Sequence, residues 1–321
     1  MTEIQFPMNR QRYFEMGQAA LEAGDLAQAA EYFEACYTLK KDFSLNFLLT
    51  TTLLEVGDGE KALHYAQEFE RHYLQGNDFF SVYLQCLLSA NQFLVAHRLV
   101  NEKLLTAVGP AVKKFANYKK IIRQRELVFQ QLAQEETAAL KEKFLAMREQ
   151  DYLEQLELAK LSSQLPQEEF LTACRILFLE EKVHYLVKAL LLEELANLHL
   201  QQKVEILYRN QNKRTVWLKD LHPIATSELF EKLILILETE IGTIDPILES
   251  NLLEEIRLGY ALLYPFPEEY IQNPRNWVRA YIANYSPEYL GRQTKEEQQE
   301  LLALSCVQEE LKNDLSAFTV H

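Results

Sequence analysis

The chain has 321 residues and a formal net charge of −14, from 33 lysines and arginines against 47 aspartates and glutamates. Only nine glycines and nine prolines punctuate a sequence in which 48% of the residues are hydrophobic. This composition favours a mostly α-helical protein with a packed core and argues against wholesale disorder. Such an acidic chain is poorly suited to bind nucleic acid over its whole surface.

The cysteines and the N-terminus indicate the compartment. The four cysteines, at positions 36, 86, 174 and 306, lie far apart and form no CxxC motif, which predicts free thiols in a reducing environment. The first ten residues, MTEIQFPMNR, lack the apolar core of a signal peptide. No apolar run approaches the ~20 residues that a membrane helix needs. The sequence therefore predicts a cytoplasmic protein that does not associate with membranes.

A period of about 34 residues organises the N-terminal third of the chain. Sliding the segment Tyr13–Cys36 along by this period aligns the turn residues Gly24, Gly57 and Asn91 and, five positions later, Ala29, Ala62 and Ala96. This pattern predicts a helix–turn–helix unit repeated over residues 10–43, 43–76 and 77–110. Glycine and asparagine tolerate the positive φ of a tight turn, and the small alanine lies where the two helices cross. An irregular helical domain with coincidental alanine spacing is the alternative.

Residues 10–106 resemble the tetratricopeptide repeat (TPR) family. The match is best in the first repeat, and the proline that the family carries near each repeat end is replaced by Lys41 and Gln75. The resemblance implies stacked helical pairs with a concave groove. The repeats together with the later runs VKALLLEEL and ALLYPF also loosely resemble uncharacterised TPR proteins of low-GC Gram-positive bacteria, from which no activity carries over.

Gly109 and Pro110 mark a break, after which the pattern stays helical over 111–162, as one helix or two with a kink near 134–137 or 149–151. A β-hairpin is predicted at 203–209 and 214–219, around the polar turn Asn210–Lys213. The other predicted helices span 166–180, 182–200, 226–241, 245–263, 275–285 and 294–315. Residues 1–9 are predicted to be a short lead-in, and the last few residues a loose end. The prediction is an all-α fold with one small β-hairpin, in three regions: 1–108, 109–200 and 201–321.

The TPR resemblance also implies which side chains line the groove. The residues assigned to partner binding are Phe14, Gln18, Leu21, Phe47, Leu48, Thr51, Leu54, Val82, Gln85 and Leu88. Their apolar members predict a stripe that binds a helix or an extended peptide. The alternative is that the protein's own helix near 111–133 fills the groove. The Lys and Asn residues with which one TPR subclass clamps a peptide's C-terminal carboxylate are missing, so that ligand is not predicted.

A basic segment follows the repeats. Residues 103–125 contain seven lysines and arginines and no acidic residue, and Lys113, Lys120 and Arg123 share a helical face. Such a face suits RNA or an acidic partner. The alternatives are a solvated face or pairing with the acidic second half, because residues 151–321 hold 28 acidic against 16 basic residues.

Catalytic motifs are missing from the sequence. It contains no HExxH, GxSxG, GxGxxG or GxxxxGK[ST], and its adjacent glutamate pairs lie on predicted helices, where solvated faces are the ordinary interpretation. We therefore predict no catalytic residue, metal or cofactor. The predicted function is a non-enzymatic interaction module that binds a protein or peptide, with homo-oligomerisation possible. A peptide- or metabolite-sensing regulator acting through a partner is the alternative, and RNA binding through residues 103–125 is a weaker one.

Overall fold

The computed structural model of the chain describes residues 7–209 and 212–316. They form two compact units: residues up to 134 with Ser163–Gln167, and Glu135–Ser162 with the residues from Glu168 onward. The structure is 79% helical with a small two-stranded sheet, which confirms the predicted fold class. The start of the predicted lead-in, the predicted loose end and two residues of the hairpin turn, Asn210 and Gln211, lie outside the described residues.

The first unit is built of helical pairs. Its helices are α1 (Pro7–Glu22), α2 (Leu26–Leu39), α3 (Phe43–Val56), α4 (Gly59–Glu68), α5 (Glu70–Gln75), α6 (Asn77–Ser89), α7 (Phe93–Thr106) and α8 (Pro110–Leu132). Helices α1 and α2 form the first pair, α3 and α4 with α5 the second, and α6 and α7 the third. Each pair packs against the next, so the three predicted units follow one another as a helical array.

The same turn closes each pair. The backbone angle φ is +78° at Gly24, +92° at Gly57 and +55° at Asn91. In all three turns the N–H of the following residue bonds to the carbonyl five positions earlier, at 2.8 to 3.0 Å. This 6→1 bond with a left-handed residue before it is a common way to end a helix. The in-phase residues of the sequence are therefore those that this turn requires.

The in-phase alanines mark the helix crossings. Ala29, Ala62 and Ala96 are each 0% exposed, which places them inside the array. Gly17 plays a similar part on α1, because a Cβ there would lie 2.5 Å from the ring of Phe33. Small residues let the paired helices approach closely, as the sequence pattern predicts.

Helix α8 continues the array. It packs against α7, where the rings of Phe93 and Phe129 lie 5.3 Å apart, and it reaches α6, where the rings of Phe80 and Phe115 lie 5.6 Å apart. The start of α8 at Pro110 follows that of α6 at nearly the repeat period. Helix α8 therefore follows α7 in the array in the same way that α3 follows α2.

The second unit contains the remaining elements. They are α9 (Gln134–Leu145), α10 (Tyr152–Ala159), α11 (Gln167–Leu177), α12 (Tyr185–Asn197), β1 (Lys203–Tyr208), β2 (Asn212–Trp217), α13 (Glu228–Leu237), α14 (Pro246–Leu263), α15 (Pro274–Tyr285) and α16 (Lys295–Ser316). The helical stretch predicted over 111–162 is divided into α8, α9 and α10, with interruptions at Ala133 and at residues 146–151.

The hairpin is anchored on its surroundings. Strands β1 and β2 pair antiparallel, with Val204 opposite Val216. The N–H of Leu207 bonds to the carbonyl of Phe178 at 2.9 Å, and the Tyr208 hydroxyl donates to the carbonyl of Leu263 at 2.8 Å. An isolated hairpin is marginal in water, so these contacts with helical segments are what hold it.

Helices α13 to α16 enclose a separate core. Trp277 of α15 is 1% exposed and packs among buried side chains such as Leu233 of α13, Ile256 of α14 and Leu311 of α16. Helix α15 begins after the cap of Asn273, whose side chain accepts from the N–H of Asn276 at 3.2 Å. This core fixes how α14, α15 and α16 pack against one another.

Candidate functional site

A concavity of about 560 Å³ lies between α1 and α3 of the first unit. Its lining residues are Arg10, Gln11, Phe14, Cys36, Asp42, Ser44, Leu45 and Leu48. Two of them, Phe14 and Leu48, belong to the groove that the sequence predicts. The concavity therefore lies on the face to which the resemblance assigns partner binding.

Part of the lining of this concavity comes from Asp42, the N-cap of α3, and from the first turn of that helix. The Arg10 guanidinium forms an ion pair with the Asp42 carboxylate, whose other oxygen caps α3 by accepting from the N–H of Leu45 at 3.0 Å. The Cys36 thiol donates to the carbonyl of Arg10 at 3.4 Å, and burial raises the pKa of that thiol. The Arg10 charge is thus balanced by Asp42, and the described residues that line the concavity include no other cation.

The other groove residues continue this face along α1, α3 and α6. Its half-buried apolar members, which pack against the core of the first unit, are Phe14, Leu21, Phe47, Leu48, Leu54 and Val82. Gln18 and Gln85 are exposed, while Leu88 is only 6% exposed and adds little to the surface. The Thr51 hydroxyl bonds to the carbonyls of Phe47 and Leu48 at 2.9 Å, so its donor is already used.

The sequence analysis did not predict an aromatic cluster that lies next to this face. The ring of Phe43 stacks on His72 at 5.0 Å and meets the edge of Phe79 at 4.9 Å, and Phe79 also lies 5.2 Å from Phe47. Phe79 is 37% exposed. Phe69, where α4 ends and α5 begins, belongs to the same cluster, with its ring 5.9 Å from that of Phe43. Partly exposed aromatic groups of this kind are frequent anchors in protein interfaces.

Acidic residues border the groove face. Glu15, Glu22, Glu55 and Asp78 lie on α1, α3 and α6 and are exposed. Gln11, which lines the concavity, donates to the carboxylate of Glu15 at 2.9 Å and so places that acid at its edge. These four exposed carboxylates place negative charge along the face.

Helix α8 does not lie between α1 and α3. Its ring contacts are with Phe80 and Phe93, on α6 and α7. The residues that line the concavity between α1 and α3 include none from α8. The basic residues Lys113, Lys120 and Arg123 are exposed on this helix.

Across the described residues, no group of three or more His, Cys, Asp and Glu side chains is arranged to hold a metal ion. None of the helices that the structure describes has the length and apolar character needed to span a bilayer. Comparison of the chain with protein-family models, with curated proteins and with solved structures finds no match.

Proposed function

We propose that the chain is a non-enzymatic interaction module of the cytoplasm, and that its first unit is a TPR-like array that binds a segment of another protein. The shared turn at Gly24, Gly57 and Asn91 and the buried in-phase alanines support the TPR-like architecture. The free state of the buried thiols Cys36 and Cys86 agrees with a reducing compartment.

One observation carries this proposal: the concavity between α1 and α3 continues into half-exposed apolar and aromatic side chains. Phe14 and Leu48 line the concavity, and Phe47 joins it to the exposed Phe79. A continuous apolar surface on helices that are already packed marks a place where another chain is buried. Spaced apolar anchors on a helical or extended peptide fit such a surface.

The charge at the border selects the kind of peptide. The exposed carboxylates of Glu15, Glu22, Glu55 and Asp78 attract lysine and arginine and repel acidic segments. The occupant that we propose is therefore a segment in which apolar anchors alternate with basic residues.

A binding experiment with designed peptides tests this directly. Two fluorescent peptide pools with leucines at identical positions, one filled with lysine and the other with glutamate, are titrated with the full chain and followed by anisotropy. The lysine pool is expected to bind and the glutamate pool not to bind. Replacing Phe14 and Phe47 together by glutamine removes two anchors without changing the charge, and is expected to weaken binding at least about tenfold.

The matched control replaces Leu105 and Val108 by glutamine. These are apolar residues of the same unit, 71% and 81% exposed, that lie outside the groove face. Binding should be unchanged in this variant, and thermal melts should show both double variants folded. Equal binding of the two pools, or full binding by the folded Phe14→Gln/Phe47→Gln protein, would show that the proposal is wrong.

Light scattering after gel filtration separates a foreign partner from a second copy of the chain. Helix α8 itself carries exposed cations such as Lys120 and exposed apolar residues such as Val128, which is 42% exposed. If the chain is a dimer that the Phe14→Gln/Phe47→Gln change dissociates, the occupant is a second copy and not another protein.

A further inference from the structure

A cavity of about 360 Å³ opens between α14, α15 and α16 of the second unit. Its walls combine leucine side chains with two tyrosine rings, two amides and charged groups. Small-molecule sites are concave and of this size, and they combine apolar walls with polar groups that orient the ligand. This cavity is separate from the residues to which peptide binding is assigned in the first unit.

The floor of the cavity depends on a close approach between α14 and α15. A Cβ at position 259 would lie 2.5 Å from the Tyr281 hydroxyl, so Gly259 is what allows this hydroxyl to rest against α14. Tyr281 is 5% exposed, and burial raises the pKa of its hydroxyl, which therefore stays neutral at physiological pH. It offers the cavity a ring wall and a hydroxyl group.

A buried amide oxygen faces no partner. Gln308 of α16 lines the cavity and is 4% exposed. Its Nε2 donates to the carbonyl of Trp277 at 2.8 Å, which orients the amide, and its Oε1 has no hydrogen-bond partner among the described residues. Because an unsatisfied buried acceptor is costly, a ligand that donates a hydrogen bond to it is favoured.

The rim carries a chain of hydrogen bonds. The Lys312 ammonium donates to the Tyr285 hydroxyl at 3.3 Å, and that hydroxyl donates to the carboxylate of Glu255. The bond to Glu255 raises the pKa of Tyr285. Glu255 keeps unused lone pairs, and Glu309 adds a second carboxylate to a lining that also contains the amides of Asn284 and Gln308.

We propose that this cavity binds a small primary ammonium group that carries an apolar body. An ammonium ion supplies the hydrogen-bond donor that Gln308 Oε1 lacks and can donate to the remaining lone pairs of Glu255, and the ring of Tyr281 forms part of the wall. The apolar body contacts leucines such as Leu258. Residues 151–321 hold 28 acidic against 16 basic residues, and this negative charge draws cations towards this part of the chain.

An ammonium group of this kind comes from a free amine or from an amino acid. Lys312 at the rim distinguishes the two sources, because only an amino acid has a carboxylate to pair with it. A ligand site in the second unit would agree with a metabolite-sensing role.

Calorimetric titration of the full chain tests the assignment with three probes that share one ring: 2-phenylethylamine, L-phenylalanine and 3-phenylpropionate. At least one of the two amines is expected to bind, and the acid without an amino group is not. Replacing Glu255 by glutamine keeps an acceptor for Tyr285 but removes the charge, and is expected to weaken amine binding about tenfold or more. Replacing Lys312 by glutamine is expected to weaken L-phenylalanine binding alone if the source is an amino acid.

The matched control is Glu254→Gln. Glu254 is exposed, precedes Glu255 on α14 and does not line the cavity. This variant should bind the amine as the unmodified chain does. Gln308→Leu serves as a second cavity variant if Glu255→Gln does not fold, with melts as the check on both. Absence of amine binding, equal binding of 3-phenylpropionate, or undiminished binding by a folded cavity variant overturns the proposal.

Discussion

The Tyr73 hydroxyl donates a 2.9 Å hydrogen bond to the side-chain oxygen of Asn46, and both residues are completely buried. The Asn46 amide nitrogen in turn donates to the carbonyl of Tyr65 at 2.8 Å and to the hydroxyl of Tyr37 at 3.2 Å. One side chain of α3 thereby joins α2, α4 and α5. Because each of these buried groups has its partner, the network fixes how the first two helical pairs pack.

Replacing Asn46 by leucine, which has a similar size, is expected to destabilise the chain by about 2–4 kcal/mol. The change leaves the Tyr73 hydroxyl and the Tyr65 carbonyl buried without their partner. Urea unfolding followed by circular dichroism measures the loss. Gln85→Leu, on the exposed face of α6, is the control and should cost no more than about 0.5 kcal/mol. An Asn46→Leu cost as small as that of the control would mean that the network is not a determinant of packing.

The turns of the array could be predicted from sequence because their backbone demands particular residues. A positive φ admits glycine or asparagine, so Gly24, Gly57 and Asn91 leave a signature at a fixed period. The Asn46 network leaves none, since an asparagine among apolar residues on a helix does not reveal which tyrosines it will meet. The interruption at Phe69 was missed for a related reason: neither glycine nor proline stands there.

The site could be predicted only in part. The repeat period assigns Phe14 and Leu48 to one face, because helical geometry alone determines which side chains share a face. The ion pair between Arg10 and Asp42, 32 residues apart, follows from how two helices pack. The cavity of the second unit depends on three packed helices and on one glycine, Gly259, whose importance is visible only beside Tyr281. Long-range packing is the information that a periodic pattern does not contain.

Gly57→Ala is expected to destabilise the chain by about 1 kcal/mol or more. The reason is the backbone alone, because φ is +92° and a Cβ there would meet no atom within 4 Å. Gly57→Asn is the matched variant, and it should cost less because asparagine tolerates this region, as Asn91 does in the third turn. Thermal or urea unfolding of the two variants measures the cost of each substitution. Equal costs for alanine and asparagine would indicate a steric origin instead.

Glu126 of α8 is expected to be essential to the end of the helical array. This buried carboxylate accepts from the N–H of Gln167 at 2.9 Å and lies 3.1 Å from Nε2 of His97. Glu126→Leu removes the acceptor of the Gln167 N–H and the polar partner of the buried His97 ring, which predicts a loss of about 2–4 kcal/mol. Glu126→Gln keeps one acceptor oxygen and should lose less. Urea unfolding gives both values, and the reverse order of the two variants would contradict this role.

Lys188 of α12 is a buried cation that is expected to destabilise the fold at neutral pH. The side chain is 2% exposed, and its ammonium makes a long contact, 3.4 Å, to the carbonyl of Leu207 and lies 5.9 Å from the centre of the Tyr185 ring. Burial lowers the pKa of Lys188 to about 8, and the charges of Glu180 and Glu181 oppose the shift only in part. A shift of this size corresponds to about 3 kcal/mol of cost for the charged form.

The pH dependence follows from the direction of that shift. Below about pH 8 Lys188 is charged in both states and its full cost is present. Between that value and the ordinary lysine pKa of 10.5, the unfolded chain holds a proton that the folded chain has released, so its contribution to stability rises with pH. Lys188→Met, of similar length and uncharged, should therefore stabilise the chain by roughly 1–3 kcal/mol at pH 7. The difference in unfolding free energy between the two proteins should shrink from pH 8 to 10.5. The other ionisable side chains are common to both proteins, so the difference in unfolding free energy isolates the effect of Lys188.

If this difference stayed constant with pH, the Lys188 ammonium would not be desolvated in the folded chain.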